Sequence, residues 1–257
     1  MKSIPRGWHS SRSDSAEPLP LPRILIIIPT YNERENIASL VTRVLAQVPS
    51  AELVVVDDSS PDGTAAEVER MQRADSRIHL LVRAERGLGS AYGAGFDFGL
   101  KRGFAWLITM DADSSHDPVH LPSMLAALME NDVVVGSRYI LDGGTINWRL
   151  RRILLSWLAN RFARFVLRMP GHDLTSGYRG YRADILVRIN PQSLLSTGYS
   201  YLVEMLYLCL CAKARIAEVP IVFFDRRLGE SKISRWEIIR GALRLIQLRF
   251  SGKRKRP

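Results

Sequence analysis

Asp111-Ala112-Asp113 directly follows a short apolar run, Phe104-Ala-Trp-Leu-Ile-Thr-Met110. Two carboxylates one residue apart, at the exit of a buried strand, can both point at one hard cation. Such a divalent ion takes oxygen ligands and keeps some positions free for the phosphate oxygens of a substrate. An isolated Asp-x-Asp is a weak signal, because such pairs also sit in solvated turns or cap helices, and Pro118 could open a helix here. This pair has company: Pro29-Thr-Tyr-Asn-Glu33, Asp57-Asp58, and a cluster of arginines further along the chain.

The elements that must position these residues alternate regularly. Apolar runs at 23–28, 52–56, 78–82 and 105–110 read as strands, and 35–47, 64–73, 89–101 and 118–130 as the helices that follow them. A fifth strand at 132–136 closes the series. Short continuous apolar runs separated by helices indicate an α/β fold with a mostly parallel sheet covered on both faces. Ligands of such sheets bind beyond the carboxyl ends of the strands. Pro29–Glu33, Asp57-Asp58 and Asp111–Asp113 follow the first, second and fourth strands, so three strand ends converge on one rim. Beyond residue 140 the pattern changes. An Arg-rich amphipathic helix is expected over 149–168, a short helix or turn over 185–188, a buried helix over 204–214 and a strand over 217–224. A last helix covers 234–250. Residues 1–22, rich in Ser, Pro and Arg, read as a disordered tail. The division is thus a tail, a catalytic domain over 23–233, and an amphipathic helix with a basic tail over 234–257.

The 257 residues are 46% apolar and 24% charged, as in a folded globular protein. The net charge of +10 is local: six arginines and no acid fall in 149–168, and eleven Lys/Arg against two Glu in 226–257. These basic residues alternate with Trp, Leu, Ile and Phe, which suits a lipid surface better than nucleic acid. Cys209 and Cys211 read as buried thiols, and the five histidines show no metal-ligand spacing. No signal peptide and no span-length apolar run are visible, so the expected location is peripheral, at the cytoplasmic face of a membrane. On a helical wheel Trp236, Ile238, Ile239, Ala242, Leu243, Leu245, Ile246 and Phe250 share half of the last helix, with Leu248 outside it. Gly87-Leu-Gly-Ser-Ala-Tyr-Gly93 misses the dinucleotide spacing by one residue and reads as a tight loop opening a helix.

Pro29-Thr-Tyr-Asn-Glu-Arg-Glu35, Val56-Asp-Asp-Ser-Ser-Pro-Asp-Gly-Thr64 and Met110-Asp-Ala-Asp-Ser-Ser-His-Asp-Pro118 resemble family 2 glycosyltransferases. Gly136-Ser-Arg-Tyr139, Asp173-Leu-Thr-Ser-Gly177 and Gly229-Glu-Ser-Lys232 are similar to its polyprenol-phosphate mannose synthase branch, in a short form without membrane-spanning helices. The resemblance covers roughly 23–235 and implies a GT-A-type nucleotide-diphospho-sugar transferase fold. It implies that Asp111, Asp113 and Ser115 hold Mg2+ or Mn2+ against the donor diphosphate. Pro29, Tyr31, Glu33, Val56 and Asp58 would bind the nucleoside, and Ala112, Arg138 and Lys232 the rest of the donor. Arg152 and Ser156, one helical turn apart, would receive the acceptor phosphate. Asp113 and Arg138 carry the catalytic assignment.

The implied reaction moves mannose, with inversion, from GDP-mannose to a polyprenyl phosphate. A lipid phosphate is already anionic, so no strong general base is required. The lipid tail would leave the site along 149–168 and 234–250, in a membrane surface, with room for a separate membrane-anchor protein. A UDP-sugar donor, with glucose or N-acetylglucosamine, remains open, as does a non-catalytic membrane-docking scaffold of the same fold. A nucleic-acid partner is not expected.

Overall fold

The computed structural model describes residues 22–194, 198–225 and 235–250. Lys232, most of the N-terminal tail and the basic tail from Gly252 lie outside them. The first half alternates as the apolar periodicity demands: β1 Ile24–Thr30, α1 Arg34–Gln47, β2 Glu52–Asp57, α2 Thr64–Ala74, β3 Ile78–Val82, α3 Leu88–Lys101, β4 Trp106–Thr109, α4 Leu121–Leu128 and β5 Val133–Ser137. The second half adds β6 Gly144–Ile146, α5 Leu150–Leu167, β7 Arg179–Arg182, α6 Ala183–Ile189, α7 Gly198–Cys211, β8 Ile216–Pro220, β9 Val222–Phe224 and α8 Arg235–Phe250.

Seven strands form one sheet in the order β3-β2-β1-β4-β7-β5-β8. β7 runs antiparallel to both β4 and β5, and the other pairings are parallel. Both faces are apolar, and β1 shows why its run is unbroken. Leu25 and Ile27 enter the cluster that also holds Phe96, Leu206 and Leu245, while Ile24, Ile26 and Ile28 enter the one that holds Leu40, Val44 and Met124. Chain order reverses beside β1, which pairs with β2 on one side and β4 on the other. The crevice beyond the carboxyl ends of those strands is where such a sheet takes ligands.

Several details differ from the sequence-based expectation. β7, which separates β5 from β4, and the short β6 carry no apolar run that would announce them. The single strand expected over 217–224 is broken at Ile221 into β8, in the main sheet, and β9, which pairs with β6 in a separate two-stranded ribbon. α7 begins at Gly198, six residues before the expected start at Glu204. Cys209 is buried but Cys211 is exposed, because α7 ends there and that turn faces solvent. On α8 the expected apolar arc is divided: Leu245, at its edge, is buried together with Leu248 outside it, whereas Leu243, Ile246 and Phe250 are exposed. α8 lies against α5 and α7, and Arg244 reaches the buried Glu204 of α7 at 3.3 Å, so the core takes one flank of the apolar arc.

Gly89, Gly95 and Gly99 serve close packing. A Cβ on Gly99 would come within 2.5 Å of Leu107 and 2.8 Å of Leu25, and one on Gly89 within 2.7 Å of Tyr201. α3 therefore lies directly on the sheet and beside α7.

Candidate active site

The loops at the β1 and β2 exits are tied down by short polar side chains. Thr30 Oγ1 donates to the fully buried Asp57 at 2.8 Å, and the Ser60 N–H and hydroxyl donate to the same carboxylate at 2.8 and 2.6 Å. Asp57 is thus a strut that locks the β1 and β2 exits together. Asp58 accepts from Arg83 Nε at 3.0 Å and from Gly87 N–H at 2.9 Å, which anchors the 83–87 loop. That loop lays the Arg86 guanidinium 4.2 Å over the ring of Tyr31. Pro29 and Val56 sit side by side in register at the strand ends. Glu33 precedes α1; its N–H donates to Thr64 Oγ1 at 3.0 Å and its carboxylate accepts from Asn36 at 2.8 Å. Pro29, Tyr31, Val56 and Asp58 therefore stand together, with Arg86 as a neighbour that no sequence pattern singled out.

Beside them, at the exit of β4, the Asp111–Asp113 turn is held from three sides. The Asp111 N–H donates to His116 Nδ1 at 2.9 Å, and the hydroxyl of the buried Tyr92 donates to Asp111 Oδ1 at 3.3 Å. The Ser115 N–H donates to Asp113 Oδ1 at 3.0 Å, and Ser114 takes a left-handed φ of 62° to make the turn. Ala112 is buried beneath. Burial pushes the His116 pKa below its ordinary value, against the opposing pull of Asp111 and Asp113, and raises that of Tyr92. His116 is then a neutral acceptor and Tyr92 a neutral donor. His116 stacks on Tyr178 with centroids 4.8 Å apart and meets Phe223 edge-on at 5.3 Å.

The donor set fits a hard divalent cation. Two carboxylates stand beside Ser115, whose Oγ is buried and hydrogen-bonds to nothing in the structure. Among the described residues no cluster of three His, Cys, Asp or Glu forms a self-sufficient metal site. Any cation here therefore has coordination positions left for a ligand's oxygens.

Two arginines complete the rim. Arg138, after β5, forks onto Asp173, with Nε to Oδ2 at 2.6 Å and Nη2 to Oδ1 at 2.7 Å, and Nη2 also donates to Thr175 at 2.9 Å. The expectation had that fork gripping substrate phosphate. In the structure a carboxylate 35 residues away takes it, and both side chains are almost wholly buried. Arg152 lies 4.2 Å over Trp148 and is ion-paired with Asp225. Ser156 and Asn160 follow it at one-turn intervals on the inner face of α5, with Ala163 and Leu167 buried behind them. Asn160 donates to Thr175 at 3.1 Å and accepts from Leu174 N–H at 2.7 Å, fixing this face to the 173–175 loop. Arg138 and Arg152 share a group of rings made by Tyr139, Trp148 and Phe223. Asp173 stood in a motif that the resemblance had marked. Asp225, Trp148, Phe223, Tyr92 and His116 had no assigned role, since a lone aromatic or acid carries no spacing.

A metal-compatible turn at the switch point of an α/β sheet, with arginines opposite, defines a protein that handles a phosphorylated ligand beyond its strand ends. Residues 25–189 match the family model described as glycosyl transferase family 2, and the chain belongs to that family. The polyprenol monophosphomannose synthase of Mycolicibacterium smegmatis is 42% identical over 243 residues, 93% of this chain and 92% of that protein. The undecaprenyl-phosphate mannosyltransferase of Micrococcus luteus is 44% identical over 213 residues, 82% and 88% of the two. The fold agrees with a Mycobacterium tuberculosis glucosyl-3-phosphoglycerate synthase crystallised with Mn2+, UDP and glucosyl-3-phosphoglycerate. That match has a TM-score of 0.61 over 90% of this chain and 80% of the other, at 18% identity. The architecture is that of the GT-A glycosyltransferases.

Proposed function

We propose that this glycosyltransferase moves mannose from GDP-mannose to a polyprenyl phosphate, with inversion, at the surface of a membrane. The observation that carries the lipid-phosphate part is the two-sided character of α5. Its inner face turns Arg152 and Ser156 toward the site. Its outer face exposes Leu150, Leu154, Trp157, Leu158 and Phe165, with Arg151, Arg161 and Arg164 among them. Leu243, Ile246 and Phe250 of the adjoining α8 extend the exposed apolar surface. An apolar face studded with arginines suits a lipid interface with anionic head groups. No helix of the described residues is long and apolar enough to cross a membrane. Attachment is then through this face, on the cytoplasmic side, with or without a separate anchor protein.

The names of the two mannosyl-transferring relatives support mannose and a polyprenyl phosphate; the GDP carrier rests on the branch resemblance. Pro29, Tyr31, Glu33, Val56 and Asp58 would line the nucleoside, and Lys232 would reach the donor phosphates. Asp111, Asp113 and Ser115 would hold Mg2+ or Mn2+. Bound there, the ion would neutralise charge on the leaving diphosphate. Arg152 and Ser156 would seat the acceptor phosphate; Arg138, its fork held by Asp173, would lie on the donor side as the resemblance implies. A phosphate monoester is already ionised near neutral pH, so the site needs no general base, and His116 Nδ1 is engaged by the Asp111 N–H. Rate would come from holding two anions in line and offsetting their repulsion.

The test is transfer of labelled mannose from GDP-mannose to a polyprenyl phosphate with Mg2+ or Mn2+, and then with EDTA. A metal-dependent, organic-soluble, mild-acid-labile mannolipid is the expected product. Product from a UDP-sugar instead would overturn the donor. No transfer from any donor, even with a membrane fraction added, would leave a docking scaffold.

A further inference from the structure

We infer that Phe223 is a positioning residue that fixes the distance between the donor-holding turn and the acceptor-holding Arg152; this rests on the function proposed above. Transfer requires reacting atoms brought to about 3–3.5 Å in line. The donor would be referenced to the Asp111–Asp113 turn and the acceptor to Arg152, on separate stretches of chain. Phe223, in β9, touches both sets. Its ring, only 8% exposed, meets His116 edge-on at 5.3 Å, and His116 is the acceptor that fixes the Asp111 backbone. On the other side, Arg138 lies 5.5 Å and Arg152 5.9 Å from its centroid, within the roughly 6 Å reach of a cation–π contact. Trp148, which carries Arg152 on its face, meets the same ring edge-on at 5.3 Å.

The backbone repeats the link. Phe223 bridges His116, and the Phe224 N–H donates to the Ser115 carbonyl at 3.2 Å. Two residues beyond Phe223, Asp225 pairs with Arg152. β9 and the Asp225 that follows it are therefore one short segment bonded at one point to the metal turn and at another to the acceptor helix. A close-packed aromatic between them acts as a rigid spacer, because packed interiors shift between discrete arrangements and do not stretch. A residue that only filled space would support the turn and the arginines without relating one to the other.

The test compares the full-length wild type with Phe223→Leu, which keeps an apolar side chain and removes the ring. Four quantities are measured: melting temperature, affinity for GDP with Mn2+ by calorimetry, slow hydrolysis of the sugar nucleotide without acceptor, and transfer kinetics. The first three are expected to stay within about threefold or a few degrees of wild type. The transfer kcat falls on the order of ten- to a hundredfold, the effect of a small misplacement of reactants. Wild-type kcat in the variant would overturn the inference. So would a kcat loss matched by equal losses of GDP·Mn2+ affinity and of hydrolysis, since Phe223 would then serve only the metal turn. If Phe223→Leu does not fold, Phe223→Met, with its adaptable unbranched side chain, is read by the same criteria. The ratio is taken with whichever nucleotide sugar the wild type uses. Failure of GDP-mannose as donor is thereby kept apart from failure of the spacer.

Discussion

Asp113 and Ser115 sit two residues apart in one turn and should respond very differently to truncation. Asp113→Ala removes a carboxylate from the cation-facing pair and should lower kcat by on the order of 10²–10³-fold, the size of one lost preorganised electrostatic contact. Ser115→Ala removes a hydroxyl without any partner in the protein, so stability should hold while the Mn2+ concentration for half-maximal activity rises. Both are read by metal titration of transfer rate beside thermal melts; equal and small effects would remove this turn from the metal site. At this scale the sequence was legible where spacing speaks. Asp111 and Asp113 are one residue apart at a strand exit, whereas Arg152 and Ser156 were marked by the family resemblance and not by their spacing. What could not be read was who pairs with whom. The Arg138 fork closes on Asp173 and the Arg152 guanidinium on Asp225, 73 residues away, and nothing local encodes either pair.

Elements are positioned here by contact tighter than side chains usually allow. α3 lies on the sheet because Gly99 leaves room for Leu107 and Leu25. Gly99→Ala must push those side chains aside and should cost about 1–3 kcal/mol, as overpacking of a filled core does. Urea unfolding would show it as a lower midpoint with an unchanged slope. α5 makes the opposite prediction. Leu154→Glu with Phe165→Glu alters only its exposed face, so GDP affinity should hold. Binding to anionic vesicles should weaken by tenfold or more, since burying each such side chain is worth roughly 1.5–3 kcal/mol. Unchanged vesicle binding in a sedimentation assay would remove α5 from the interface. The βα alternation of the first half was legible because every strand is an apolar run bounded by a helix of sufficient length. β7 was not: Arg-Gly-Tyr-Arg has no such run, and its place between β4 and β5 is fixed by pairing alone. The helical wheel of α8 identified an apolar arc but not which flank of it the core would take.

At the scale of the described molecule, the two arginines of the site are each paired with a carboxylate, Arg138 with Asp173 and Arg152 with Asp225. Burial alone would raise the Asp173 pKa, but the Arg138 guanidinium and the N–H groups of Arg138 and Thr175 outweigh it and hold it below the ordinary 3.8. A depressed carboxylate pKa adds stability that is complete above 3.8 and is lost as pH falls below it toward the folded-state value. Asp173→Asn should therefore cost about 3–5 kcal/mol at neutral pH, the price of stranding a buried partner. It should also flatten the loss of melting temperature between pH 4 and pH 3; equal acid sensitivity in the two proteins would place the titrating group elsewhere. The Arg152–Asp225 pair differs in one respect, since its side chains are 30% and 26% exposed where Arg138 and Asp173 are 6% and 0%. It can open to solvent, so on the proposed assignment of Arg152 to the acceptor phosphate Asp225 would be a resident counter-ion. A phosphate monoester carries more charge than a carboxylate and can displace it; a lipid alcohol carries none and cannot. The proposed assignment predicts discrimination between phosphorylated and free polyprenol, and Asp225→Asn should lower the acceptor KM while letting the unphosphorylated lipid compete.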